Sequence, residues 1–141
     1  MAGFVHRERV RFGDLDAMRH LNNVVFLRYF ETARISFIRQ LVEHDPANPE
    51  GTGGFGLIFA ECHINYRAPV HFDEEVAISC GVSDVKRSSF RVPFRMDVED
   101  RLVAEGYGVL VGFSYPEQRA EPLPDSLRER LERAAVSNGQ R

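Results

Sequence analysis

The sequence predicts an α+β domain in which a curved antiparallel β-sheet wraps around one long central α-helix. Three observations predict it. A helical stripe runs from Asn22 or Asn23 to about Val42, a strand-like run precedes it, and four more strand-length runs follow it. A single long helix with a nearly continuous apolar face needs a sheet to cover it. A chain of 141 residues, 43 % of them hydrophobic, suits one domain with one core.

The elements follow in order. Residues 4–12, FVHRERVRF, alternate: Val5, Arg7, Arg9 and Arg11 share one face, and Phe4, His6, Glu8, Val10 and Phe12 the other. That suits a strand with one wet side. Gly13 and Asp14 punctuate its end. In the helix, Phe26, Phe30, Ala33, Phe37 and Leu41 recur at spacings of three and four, with Tyr29 beside them. Arg28, Thr32, Arg39 and Glu43 form the opposite stripe. An asparagine is a favoured N-cap for such a helix. Residues 44–56 hold two prolines and four glycines and read as a mobile loop.

Residues 57–71 alternate strictly, with Ile58, Ala60, Cys62, Ile64 and Tyr66 on one face and Glu61, His63, Asn65 and Arg67 on the other. The runs 74–85, 88–98 and 101–115 complete the strand set. Residues 72–74, 84–87 and 99–100 read as hairpin connections. Pro93 in mid-strand predicts an edge strand or a bulge. Pro124, Asp125 and Ser126 start a short amphipathic helix through about Ala135, followed by a disordered end. The organisation is one main domain over 1–120, then a short helix and flexible tail over 121–141. There is no internal repeat.

Bulk properties narrow the function. A formal charge of −3 offers no global attraction to nucleic acid or to an anionic membrane. No apolar run approaches the roughly 20 residues of a membrane span, and the N-terminus lacks a signal-peptide core. Cys62 and Cys80 lie in strand-like runs without CxxC spacing and read as reduced thiols. These features predict a cytoplasmic, cofactor-independent domain.

The chemistry gathers in DLDAMRHLNN, residues 14–23, where two carboxylates, a histidine and two asparagines stand between a strand and a helix. Asp14 and Asp16 suit a turn, and Asn22 or Asn23 suits a cap, so a purely structural role is open. Glu31 and Arg34 are spaced i, i+3, as in an ordinary helix-surface or inter-subunit ion pair. His6, His20, His63 and His71 with Asp14 and Asp16 supply donors for a metal, but no pair has the H-x3-H spacing that pre-organises one. No metal is therefore expected.

The string RFGDLDAMRHLNNVVFLRYFETAR, residues 11–34, resembles the N-terminal motif of hotdog-fold acyl-CoA thioesterases of the 4-hydroxybenzoyl-CoA thioesterase type. The matching features are the D-x-D pair Asp14 and Asp16, the His20-Leu21-Asn22-Asn23 segment, and Glu31 with Arg34. NYRAPVHFDEEVAISCGVSDVKRSSF, residues 65–90, is similar to that family's next segment, and the likeness covers about residues 4–116. Plant acyl-carrier-protein thioesterases carry an Asp-x-Asn-x-His element. Met18 stands here at its asparagine position and cannot donate the side-chain bond. The aspartate-centred mechanism of the simpler family is the better fit.

The resemblance implies hydrolysis of a fatty-acyl or aromatic acyl-CoA to the acid and free CoA. Asp16 would act as nucleophile or general base. The unpaired N–H groups of the helix start, near Asn22 to Val24, would hold the oxyanion. His20 and Asn23 complete the candidate catalytic set. Substrate contacts are expected from Asn22, Val24, Phe26 and Phe59, with Phe55 and Leu57 as further wall residues. Arg67, Lys86, Arg87, Ser88 and Ser89 are candidates for the coenzyme A phosphates. Coenzyme A is part of the substrate, so no separate cofactor is implied. The family usually assembles as a homodimer or homotetramer with shared sites. Two rival readings remain: a non-catalytic acyl-CoA-binding module, and a hotdog hydratase or dehydratase.

Overall fold

A computed structural model of the chain describes residues 3–42 and 56–137. Most of the loop expected over 44–56, with Phe55, and the last residues of the tail lie outside the described residues, as does Glu43. The order is β1 (Phe4–Arg9), a 3-10 turn (Phe12–Asp14), α1 (Asn23–Val42), β2 (Leu57–Tyr66), β3 (Glu75–Cys80), β4 (Ser89–Val98), β5 (Arg101–Ser114), β6 (Arg119–Ala120) and α2 (Asp125–Ser137). The sheet runs β1-β3-β4-β5-β2, with short β6 beside β5 and every pair antiparallel. This is the hotdog arrangement: the long helix packs its apolar stripe against one face of the antiparallel sheet.

The apolar stripe of α1 buries Val25, Phe26, Tyr29, Phe30, Ala33, Phe37, Ile38 and Val42. It meets Ile78, Phe90, Val92, Phe94, Met96 and Leu110 in one core. Phe30 stacks on Phe94 with ring centroids 4.1 Å apart. The sheet must let Phe30 in at β5, and it does so at Gly108. A Cβ there would stand 2.6 Å from the Phe59 ring and 3.0 Å from the Phe30 ring. Leu123, Leu127 and Leu131 bring α2 into the same core. Fully burying each leucine is worth about 1.5–3 kcal/mol.

Four expectations are corrected. The strict alternation of 57–71 fails because Ala60 is bulged, with the register against β5 shifting between Phe59 and Glu61. Leu57 and Phe59 therefore face the core before the bulge, and Cys62 and Ile64 after it. The strand itself stops at Tyr66. Pro93 is not on an edge, since β4 lies between β3 and β5, and the β4 register shift falls at Met96/Asp97 instead. The proline is tolerated because its missing N–H faces the β3 side just beyond Cys80, where Gly81 N–H donates to the Pro93 carbonyl (3.0 Å). Residues 72–74 are not a hairpin, because β2 and β3 are not neighbours and the chain crosses the sheet there. The two-residue β6 had no periodicity to reveal it.

Candidate active site

The loop between β1 and α1 is tied down at both ends. Leu15 and Leu21 form an isolated antiparallel bridge, and Asn22 N–H donates to the Asp14 carbonyl (3.0 Å). Leu21 N–H donates to the Val70 carbonyl (2.7 Å), which fastens the loop to the β2–β3 crossover. Between these anchors the chain makes a tight turn. Asp16 N–H donates to the His20 carbonyl (2.9 Å), and Arg19 takes a positive φ of 67°.

The two aspartates of the loop have different surroundings. Asp14 is buried, 5 % exposed. Its Oδ2 accepts from the Tyr29 hydroxyl (2.6 Å) and from Arg11 N–H (3.0 Å). Burial alone would raise its pKa. The Tyr29 and Arg11 hydrogen bonds and the Arg11 charge outweigh that, and the carboxyl sits below its ordinary value. Tyr29 moves the other way, pushed well up first by burial and then by the Asp14 carboxylate. Asp16 is exposed. Its Oδ1 accepts from Met18 N–H (2.9 Å) and His20 N–H (3.3 Å), an Asx turn. Its Oδ2 takes no hydrogen bond from the described residues.

The asparagine pair is resolved by geometry. Asn22 is the N-cap: its Oδ1 accepts from Val24 N–H (2.9 Å). The Asn22 carbonyl accepts from Val25 and Phe26 N–H (2.8 and 3.2 Å). Of the first four helix donors only Asn23 N–H has no partner among the described residues. Val24 N–H, one of the expected oxyanion donors, is already taken by the cap, and its side chain is 63 % exposed. Tyr66, from the end of β2, donates its hydroxyl to the Asn23 carbonyl (3.2 Å) and packs edge-on against Phe26 (5.2 Å). Phe26 is a core residue at the floor of this corner.

His20 stands edge-on to His71, ring centroids 5.3 Å apart. Glu74 holds His71 by accepting from its backbone N–H (2.8 Å) while pairing with Arg101 (3.0 Å). Phe12, Met18, Val24 and Phe72 are exposed apolar residues of the same loops and helix start. Among the described residues no three or more His, Cys, Asp or Glu side chains gather as a metal site.

The remaining candidates lie elsewhere. Arg67 grips Glu105 across the β2–β5 ladder (3.0 and 2.8 Å). Lys86 to Ser89 form the turn before β4, closed by Lys86 N–H to the Ser89 carbonyl (2.7 Å). Val85, Lys86 and Arg87 with Pro122, Asp125, Arg128 and Glu132 line an open groove of about 570 Å³. Phe59 carries the Arg34 guanidinium over its ring face at 4.4 Å. Among the described residues, Arg34 Nε is the single buried side-chain N or O atom with no hydrogen-bond partner. Such an orphan costs about 1–3 kcal/mol.

The family model described as the thioesterase-like superfamily matches residues 10–131. The chain belongs to that superfamily. A thioesterase from Thermus thermophilus, solved with coenzyme A and Zn, is 34 % identical, with 100 % of this chain and 99 % of that one covered and a TM-score of 0.79. A 1,4-dihydroxy-2-naphthoyl-CoA hydrolase from Synechococcus is 27 % identical over 135 residues, 92 % of this chain and 88 % of that protein. A predicted thioesterase from Bacillus stearothermophilus shares the fold with a TM-score of 0.81 at 22 % identity, covering 94 % of this chain and 96 % of that one.

In this thioesterase-like chain the sequence reading missed three contributors to the site region. The helical spacing sets Tyr29 beside the apolar stripe. A hydroxyl in an otherwise Phe-rich stripe needs a partner when buried, and that was the available signal. His71 and Tyr66 reach the region only through the crossover and the end of β2, so no local pattern points to them.

Proposed function

We propose that this thioesterase-family chain hydrolyses an acyl-CoA, fatty or aromatic, to the free acid and CoA, with Asp16 as nucleophile or general base. The observation that carries the reading is the Asp16 carboxylate. Asp16 is exposed; one of its oxygens fixes the turn and the other takes no hydrogen bond from the described residues, on the loop that leads into Asn23, whose N–H has no partner among them. That pairs a held carboxylate with a helix-start donor able to stabilise an oxyanion. Asp16 attacks the thioester carbon to form an anhydride that water then hydrolyses, releasing the acid and restoring the carboxylate, or it takes a proton from a water that attacks the thioester carbon directly. The C–S bond breaks and the CoA thiolate leaves, to be protonated from solvent. His20, held beside His71, orients the attacking water or the thioester.

The Lys86–Arg87 turn, with Ser88 and Ser89, is the proposed contact for the CoA phosphates. Arg67 would have to leave Glu105 to join it. No cofactor is needed beyond the CoA of the substrate. The exposed apolar residues Phe12, Met18, Val24 and Phe72 and the edge strands β1 and β2, unpaired on their outer sides among the described residues, suit a homodimer or homotetramer with the site at a subunit boundary. Among the described residues no helix is long and apolar enough to cross a membrane, and the cytoplasm is the proposed setting.

Free-thiol release from a panel of short, long and aromatic acyl-CoAs tests the reading, with wild type beside Asp16→Asn. Turnover by wild type and a loss of about a hundredfold or more in the variant supports it. Equal turnover removes Asp16 from the chemistry.

A further inference from the structure

Resting on the thioesterase reading, the geometry points to Arg34 as a specificity residue that binds an oxygen function, carboxylate or phenolic, on the acyl group remote from the thioester. Three observations carry it.

The first is the lane in which Arg34 lies. Phe26, Phe30 and Arg34 are spaced four apart on α1 and look toward β2, an edge strand of the sheet. Phe26 meets Tyr66 at 5.2 Å, Phe30 meets Phe59 at 6.1 Å, and Arg34 covers Phe59 at 4.4 Å. The lane therefore begins at the helix start, where Tyr66 holds the Asn23 carbonyl, and ends at the guanidinium. Cys62, Phe59, Glu31 and Arg34 along it are half-buried, whereas Phe26 and Phe30 in the same lane are buried core residues. An acyl group held at Asn23 N–H would run over the half-buried residues of this lane toward Arg34.

The second is the state of the guanidinium. Arg34 Nε is buried with no partner. Phe59 satisfies the flat face of the group but not its edge, where the N–H donors point. Glu31, one turn earlier, attracts the charge through space without a hydrogen bond. A guanidinium partly removed from water, its buried Nε without a partner among the described residues, is matched to an anionic or accepting oxygen. An ordinary surface ion pair, the expectation for Glu31 and Arg34, is not what forms.

The third is length. Eleven residues separate Asn23 from Arg34, about 16 Å of helix, and the arginine side chain leans back toward the helix start. The span suits an aromatic or medium-chain acyl group with a polar end. It is short for an extended long-chain fatty acyl group, whose apolar end would also meet a cation.

The test compares matched CoA thioesters that differ only in the remote oxygen: an unsubstituted aroyl-CoA against its ring-hydroxylated counterpart, and a six-carbon acyl-CoA against its ω-carboxy counterpart. The readout is the ratio of kcat/KM within each pair, for wild type and Arg34→Met. The proposal expects wild type to favour an oxygenated member by tenfold or more, and that ratio to fall at least tenfold in the variant. No preference in wild type overturns it. So does a variant that slows both members equally, because a structural role or a contact with a second subunit would do that. If Arg34→Met fails to fold, Arg34→Gln and Arg34→Lys carry the same ratio test. If wild type turns over no thioester, the thioesterase reading fails separately. Binding of the corresponding non-hydrolysable thioethers then decides on Arg34 by the same ratio.

Discussion

Asp14 and Asp16 are two residues apart in one loop, yet their environments are opposite. Asp14 is buried, bonded by Tyr29 and by Arg11, and held in its charged form. Asp16 is exposed, uses one oxygen to brace the turn, and leaves the other open. On the proposed reading, the difference divides the labour of this D-x-D pair. The first carboxylate fastens the loop to the inner face of α1. The second, carried by that fastened loop, is the one the proposed chemistry uses. A buried carboxylate with its bonds filled is a poor nucleophile, and an exposed one on an untethered loop would be poorly aimed.

The comparison can be broken most sharply at Asp16. Asp16→Asn should lower thiol release by about a hundredfold or more, while shifting the melting temperature little, because an asparagine oxygen can still accept the Met18 and His20 bonds. Asp14→Asn should do the reverse to stability. It discards the charge that Tyr29 and Arg11 support, at a cost of about 2–3 kcal/mol in denaturant unfolding. Tyr29→Phe keeps the ring and removes the donor, and should cost about 1–2 kcal/mol.

The pH dependence separates the same groups. Asp14 has a folded pKa below its unfolded value, so its contribution is full above about pH 4 and is lost as the pH falls through the lowered folded value. Tyr29 has a folded pKa above its unfolded value. Its contribution is full below about pH 10 and fades as the pH rises beyond it. Urea unfolding across pH should show Asp14→Asn flattening the acid limb and Tyr29→Phe flattening the alkaline one. The smallest effect is expected outside the loop. Arg67 and Glu105 are an exposed cross-strand pair, and Arg67→Ala should change stability by under about 1 kcal/mol.

The fold was legible where periodicity is strong. The spacing of Phe26, Phe30, Ala33 and Phe37 gives a helix from Asn22 or Asn23 to about Val42, and α1 spans Asn23–Val42. It was illegible where one inserted residue changes the face, as at Ala60, or where strand order decides, as for Pro93 and the 72–74 crossover. Pattern gives the faces of a strand but not its neighbours. The site was half legible. Asp16, His20 and the asparagine cap lie within ten residues and announce themselves together. The Asp14–Tyr29 bond spans fifteen residues and a change of element, and Arg34 meets Phe59 only across the helix–sheet contact. No local spacing encodes such meetings.

The most direct test of the divided labour is to measure melting temperature and initial thiol-release rate for Asp14→Asn and Asp16→Asn side by side, at a temperature where both are folded. The account predicts a crossed result: Asp16→Asn melts near wild type and loses about a hundredfold or more in rate, while Asp14→Asn melts several degrees lower and keeps the larger share of its rate. Asp14→Asn inactive at wild-type melting temperature, with Asp16→Asn fully active, would contradict it and exchange the two roles.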